Sequence, residues 1–398
     1  MKSPIILSTF ISILLLTISS CSSTNDHEEF LECLTERYHN SISNVTYSPN
    51  NSSYASILRF SIHNLRFTSQ STPRPQVIIT PEHESQVPPV VHCARENDME
   101  IRIRSGGHDY EGLSYVSQVP FVILDLINLS EISVDPESKT AWSVAHTIDP
   151  NLFVMILITR GNSVRVTFNS TFLGGADELL SIMQQNFSEL GLTREDCTEM
   201  SWIDSVLYFA GSPNEPREVL LNRTQPFVRY FKAKSDFVQR PIPEQGLEGM
   251  WRLFYEPESE EALVIMVPFG GVMDNISESD ISFPHRAGNM YIIQYYAYWQ
   301  EGNARNSDRY IRWIRRLYSY MAPYVSSLPR AAYVNCRDVD IGVNNNEGRI
   351  DYARASVWGR KYFGNNFDRL VRVKTAVDRD NFFRSEQSIP SLYEEVDD

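Results

Sequence analysis

Apolar positions along the chain follow two periods. From Glu28 to Tyr38, Phe30, Leu31 and Leu34 share one face at helical spacing, which predicts an amphipathic helix. Val77-Ile78-Ile79 is a short unbroken apolar run and reads as a buried strand. Pro81 and Glu82 then open a helix toward Arg95. Ile101 to Arg104 alternates apolar and charged residues as a strand does, and Ser105-Gly106-Gly107 closes it in a turn. Phe121 to Leu124 and Thr140 to Val144 read as further strands.

From Leu152 the texture changes. Leu152 to Thr159 and Ser163 to Phe168 read as strands, followed by helices over Ala176 to Leu190, Trp202 to Phe209 and Leu247 to Tyr255. Strands are expected at Ala262 to Pro268 and Met290 to Trp299. Arg305 to Tyr324 reads as a helix with Ile311, Ile314, Leu317 and Met321 inward and Arg312, Arg315 and Arg316 on a solvated face. Strand and helix alternation predicts an α+β or α/β first domain, and the long connections and antiparallel-looking strands that follow predict an α+β second one. There is no internal repeat and no low-complexity tract.

The N-terminus carries a processing pattern rather than a fold element. Lys2 precedes an apolar run from Ile5 to Ile18, which exits into Ser19, Ser20, Cys21, Ser22 and Ser23. That is the form of a secretory signal peptide, assigned to residues 1–23. The run is shorter than the ~20 residues of a comfortable membrane span, so no stable membrane anchor is expected. Sequons at Asn44, Asn50, Asn51, Asn128, Asn169, Asn186, Asn222 and Asn275 fit an exported glycoprotein, extracellular or in the cell wall. Removal of the leader leaves Cys33, Cys93, Cys197 and Cys336, which allow three full pairings. In an oxidising compartment Cys33 with Cys93 is the expected bridge, both lying in helix-like segments of the N-terminal part. No Cys/His spacing suggests a metal site.

Composition narrows the chemistry. With 36 Lys and Arg against 50 Asp and Glu, the net charge is −14, which argues against nucleic acid and anionic membranes as partners. GxGxxG, P-loop, HExxH and GxSxG motifs are all absent, which counts against Rossmann nicotinamide binding, P-loop hydrolysis, zinc proteolysis and α/β-hydrolase chemistry. What stands out is Arg104-Ser105-Gly106-Gly107-His108-Asp109-Tyr110. Adjacent glycines after a strand let successive N–H groups converge on one concavity, a nest suited to a pyrophosphate. Arg104 would add charge, Ser105 a hydroxyl, and His108 an imidazole able to act as nucleophile, base or ligand. By spacing alone such a turn is common.

The longer string from Arg104 to Ser117 resembles the plant berberine-bridge-enzyme-like family of FAD-linked oxidases. The resemblance continues through Asp196 to Trp202, Tyr230 to Ser235, Phe283 to Asn289, Trp358 to Phe363 and Asn381 to Pro390. It implies a two-domain vanillyl-alcohol-oxidase/PCMH-type flavoprotein fold. By that resemblance, Arg104, Ser105, Gly106, Gly107, His108 and Asp109 hold FAD, with His108 bonded covalently to the 8α-methyl of the flavin. Asn381 and Phe382 belong to a segment that returns to the flavin domain, and Cys33 and Cys93 match the family's N-terminal disulfide. Tyr110, Gln294 and Cys336 fall at active-site positions. The implied reaction is hydride transfer from a small alcohol, phenolic or alkaloid-type substrate to the flavin, with O₂ as acceptor.

The chain departs from the family pattern in several places. Between Val144 and Leu152, where the family has a helix and a glycine-rich segment with a second, cysteinyl flavin link, only Ala145 to Asn151 intervene. On the order of 100–150 residues of domain are expected to be missing, and the flavin domain is therefore read as incomplete. The count of 18 glycines in 398 residues, below the usual share of about 7%, fits loss of a glycine-rich part. Cys336 stands where relatives have tyrosine, Ile292 where some have lysine, and Arg379 where they have proline. The expected layout is a truncated FAD-binding domain over 24–147, a substrate domain over 148–344 and a C-terminal berberine-bridge segment over 345–398. The alternative is a non-catalytic remnant, a splice form or a gene-model artefact lacking a complete FAD site.

Overall fold

The computed structural model describes residues 25–38, 42–129, 149, 151–160, 163–222, 228–300, 307–344 and 351–392. The expected leader, the expected strand from Thr140 to Val144 and most of the junction that follows it lie outside these residues. The chain builds two sheets with separate cores and a helical cap.

The first sheet has the order β1-β2-β4-β3, with β1 (Thr46–Tyr47), β2 (Val77–Ile79), β3 (Glu100–Arg104) and β4 (Phe121–Asp125). β2, β4 and β3 run parallel, and β1 pairs antiparallel with β2. Parallel strands covered on both faces read as unbroken apolar runs, as Val77-Ile78-Ile79 and Phe121 to Leu124 do. Their alternate side chains divide between two cores. Val77, Ile79, Val122 and Leu124 meet Phe30 and Leu34 of α1 (Asn25–Tyr38) and Val90 and Ala94 of α3 (Val87–Glu96). Ile78, Phe121 and Ile123 point the other way, onto Tyr54 and Leu58 of α2 (Tyr54–Phe60) and onto Tyr115. Cys33 on α1 and Cys93 on α3 form a disulfide across a separation of 60 residues. In the chain-entropy account a loop of that size stabilises by about 4 kcal/mol.

The second sheet is antiparallel, ordered β6-β5-β8-β9-β7. Its strands are β5 (Leu152–Arg160), β6 (Val164–Phe172), β7 (Tyr230–Val238), β8 (Ala262–Pro268) and β9 (Tyr291–Trp299). One face packs Val264, Met266, Ile293, Tyr295 and Ala297 against α6 (Glu244–Phe254) and α7 (Ser307–Met321), which bring Met250, Phe254, Trp313, Ile314, Leu317 and Met321. The other face carries Phe231, Ala233, Tyr296 and Tyr298 toward the first sheet. Beside β5 and β6 lie α4 (Ala176–Asn186) and α5 (Trp202–Phe209). They leave a cavity of about 1370 Å³ against β5 and β6, lined by Leu152, Val154, Ile156, Val166, Leu179 and Met183 among others.

The C-terminal cap is α8 (Tyr352–Phe363) and α9 (Asn366–Val377), cored by Trp358, Tyr362, Phe367 and Val371. After it the chain returns to the first sheet. Phe382 is buried in the core that holds Phe30 and Val122, and Arg102 on β3 makes a two-pronged ion pair with Glu386 at 3.2 Å on each arm. Among the described residues no helix is long and apolar enough to cross a membrane.

Among the described residues the expected elements were found, several with shifted ends. The helix expected from Pro81 begins as a separate short turn at Glu84–Gln86, and the one expected to reach Leu190 stops at Asn186. Strand β7 and helices α2, α8 and α9 carried no periodic signal in our reading of the sequence.

Candidate active site

The turn after β3 is shaped by close approach. Gly107 sits at φ +69°, and a Cβ there would lie 2.1 Å from the Ser61 carbonyl oxygen, so glycine is required. Gly106 makes room differently: a Cβ on it would meet Cδ2 of His108 at 2.4 Å. The His108 ring folds back over the turn and stacks on His63 with centroids 4.5 Å apart. His63 Nε2 lies 2.8 Å from the Gly106 carbonyl oxygen. A carbonyl only accepts, so His63 carries its proton on Nε2. Burial lowers the His63 pKa against the pull of that hydrogen bond, and the neighbouring His108 lowers it further.

Ser105, Gly106 and His108 are exposed. Among the described residues, the backbone N–H groups of Gly106, Gly107, His108 and Asp109 meet no protein acceptor. Arg104 is turned the other way, and the expected addition of its charge to the turn is corrected. Its guanidinium is fully buried, with Nη2 2.7 Å and Nε 3.0 Å from Asp125 Oδ2. Its remaining donors reach the Leu58 and Ile57 carbonyls at 3.0 Å. A buried guanidinium must be paired, and this one is paired inside the first domain. Asp109 accepts from the N–H groups of Glu111 and Leu113, which closes the turn, and pairs with Arg337 at 2.7 Å.

Tyr110 leaves the turn for the second sheet. Its hydroxyl lies 2.6 Å from that of Tyr296, which donates to Gln294 Oε1 at 2.7 Å. Phe231 meets the Tyr110 ring edge-on at 5.4 Å, and Tyr298 stacks on Tyr296 at 5.4 Å. The buried Cys336 thiol neighbours the Tyr110 hydroxyl. Burial pushes that thiol up to about 12, against the effect of the Tyr110 hydroxyl, so near neutrality it is a protonated group rather than a base. Burial likewise raises the pKa of both Tyr110 and Tyr296. Three residues read as active-site candidates from sequence, Tyr110, Gln294 and Cys336, are thus brought together.

A buried ionic network holds this wall against the turn. Lys232 on β7 pairs with Glu111 and, at 2.8 Å, with Asp338; Lys234 meets Asp338 at 2.6 Å and Asp340 at 2.8 Å. Burial works against the Lys232 charge, but Glu111, Asp338 and Asp340 together raise its pKa. Glu111 follows the turn and Asp338 follows Cys336, so one network fixes both. Gln387 donates to the Asp338 carbonyl at 3.0 Å and ties the C-terminal segment to the same loop. Asn381 has φ +53°, and its buried Oδ1 has no protein partner among the described residues. Phe382 sits in the first core with Arg95 over its ring at 4.8 Å.

Sequence reasoning missed Tyr296, His63 and the Lys232 network. Tyr296 was readable in principle, since it shares the period-two face of β9 with Gln294. His63 had no local cue; its role arises from a ring 45 positions away in the chain.

Residues 332–390 match the family described as "Berberine and berberine like", and residues 75–154 match "FAD binding domain". Berberine bridge enzyme-like 18 of Arabidopsis thaliana is 35% identical, covering 95% of this chain and 96% of its own. Tetrahydroberberine oxidase of Berberis wilsoniae is 36% identical, covering 94% and 96%. The first of these alignments runs over 512 residues, 114 more than the 398 of this chain, so the relative has a long stretch with no counterpart here. The solved structure of BBE-like 28 from Arabidopsis thaliana superposes with TM-score 0.84 at 33% identity, covering 92% of this chain and 100% of that one. The grass pollen allergen Phl p 4, described as having glucose dehydrogenase activity, gives TM-score 0.84 at 27% identity, covering 92% and 100%. The chain belongs to the berberine-bridge-enzyme-like family of FAD-binding oxidases.

Proposed function

We propose that this chain is a secreted oxidase that takes a hydride from a small alcohol, phenolic or alkaloid-type substrate by way of FAD attached to His108, with O₂ as the final acceptor. One observation carries the reading. A segment of five residues, Gly106 to Tyr110, offers free amide donors at one end and reaches the Tyr296–Gln294 wall at the other.

The residues present fit the cofactor's diphosphate. Consecutive N–H groups that meet no acceptor among the described residues suit a phosphate oxygen, and Gly106 and Gly107 leave room for close approach. Ser105 would add its hydroxyl, Asp109 holds the turn's shape, and Asn381 Oδ1 is a further unpartnered group for the bound nucleotide. The second, cysteinyl link of relatives has no counterpart, so attachment would be single. Bound there, the flavin would supply two-electron redox chemistry.

Tyr110, Tyr296 and Gln294 form a hydrogen-bonded row able to orient a substrate hydroxyl. Burial raises the pKa of both phenols, so the row acts by hydrogen bonding rather than by charge. Phe231, Tyr296 and Tyr298 make the wall aromatic, which favours a ring-bearing substrate. Secretion is supported by the 1–23 leader and by the sequons, of which Asn44, Asn50, Asn51, Asn128, Asn186, Asn222 and Asn275 are exposed and Asn169 is half-buried.

The test is direct. The mature chain is expressed through a secretory pathway and precipitated with acid. Yellow flavin should stay with the protein, and His108→Ala should release it. A colourless wild-type product overturns the reading.

A further inference from the structure

The segment Ser61 to Asn64 runs beside the turn and touches it at three successive points. The Ser61 carbonyl lies where a side chain on Gly107 would fall. His63 hydrogen-bonds the Gly106 carbonyl at 2.8 Å and covers the His108 ring. Asn64, fully buried, donates to the Tyr110 carbonyl at 2.9 Å and to the Phe231 carbonyl at 3.0 Å. Asn64 therefore pins the backbone of His63 to the turn and to the second sheet, and the His63 ring has little freedom to leave.

The consequence falls on His108. An exposed histidine on a glycine turn samples several rotamers. Here the His108 ring is confined between the Gly106 backbone and the His63 imidazole, the two imidazole planes differing by 29°. We propose that His63 is a positioning residue for His108: stacked on it and tied to the Gly106 carbonyl, it holds the His108 imidazole in one orientation for attachment of the flavin. The proposal rests on the reading of His108 as the attachment point. His63 touches no reacting atom in this role. Its lowered pKa agrees with the geometry, since a neutral ring stacks on its neighbour without like-charge repulsion.

The experiment uses the secreted full chain and three variants, His63→Ala, His63→Phe and His63→Gln. Mass spectrometry gives the fraction of the His108 peptide that carries flavin, and acid release gives the non-covalent remainder. The flavin-free population is treated with diethyl pyrocarbonate, and the labelling rate of His108 is followed. His63→Ala should lower the covalent fraction and speed His108 labelling, each by roughly three- to tenfold, the scale of one lost ring stack. His63→Phe keeps the stack and should stay near wild type, whereas His63→Gln keeps a donor without the ring and should resemble His63→Ala. Unchanged labelling of His108 in His63→Ala overturns the proposal, even if total flavin falls. If wild type carries no flavin on His108, the attachment reading fails, and the labelling difference still decides whether His63 positions the ring.

Discussion

His285 provides a quantitative test of how the C-terminal cap is seated. Its ring is 5% exposed, stacks on Phe237 of β7 at 3.8 Å and places Nε2 3.1 Å from the Tyr362 carbonyl of α8. Burial lowers its pKa from 6.5 to about 4, although carbonyls of Tyr362 and Ala332 pull the other way. The unfolded chain therefore takes up a proton near pH 6.5 that the folded protein refuses until about pH 4. The stability contributed by neutral His285 is whole above pH 6.5 and is lost as the pH falls toward 4. A gap of that size corresponds to about 3 kcal/mol at 1.36 kcal/mol per pH unit. The perturbation is His285→Gln, which keeps a donor toward Tyr362 but does not titrate. Urea unfolding of both proteins is followed by tryptophan fluorescence at several pH values between 7 and 4. Carboxylates common to both cancel in the difference. The wild-type curve should fall more steeply, by about one proton's slope, and the two curves should converge toward low pH. Parallel curves would mean that His285 protonates freely in the folded state, and the packing argument would fail.

Four further outcomes are expected. Gly107→Ala should destabilise the fold by about 2 kcal/mol or more, from left-handed strain plus collision with Ser61, read as a fall in Tm with loss of bound flavin. Lys232→Met should cost about 3–5 kcal/mol in denaturant unfolding, because it leaves Glu111 and Asp338 buried without their shared cation. Tyr296→Phe removes only the hydroxyl between Tyr110 and Gln294; unfolding should change by no more than about 1.5 kcal/mol, while kcat/KM for an oxidised substrate drops about tenfold or more, and equal activity would count against the wall. The cavity beside β5 and β6 should bind an environment-sensitive apolar dye with a rise in fluorescence, and Val154→Trp should reduce that rise by filling it.

Local signals in the sequence were read with few errors. The runs Val77 to Ile79 and Phe121 to Leu124 are apolar throughout and feed a core on each face of their sheet, whereas Ile314, Leu317 and Met321 recur at helical spacing and point one face at a core. Strand β7 was missed because Lys232, Lys234 and Asp236 look solvent-facing. They are buried, paired with acids and an arginine that lie about 90 to 120 positions away in the chain. Helix α2 is only seven residues long, too short for periodicity to declare it.

The sequence by itself determined the glycine turn, the candidates Tyr110, Gln294 and Cys336 and the expected bridge between Cys33 and Cys93. These are matters of residue identity and order along the chain. Only the tertiary structure decided what those groups can do. It turned the Arg104 charge inward onto Asp125, placed Tyr296 between Tyr110 and Gln294, buried the Cys336 thiol until it holds its proton, and laid His63 over His108. Desolvation and hydrogen bonding act between groups far apart in sequence, so their effects appear only once the two sheets meet.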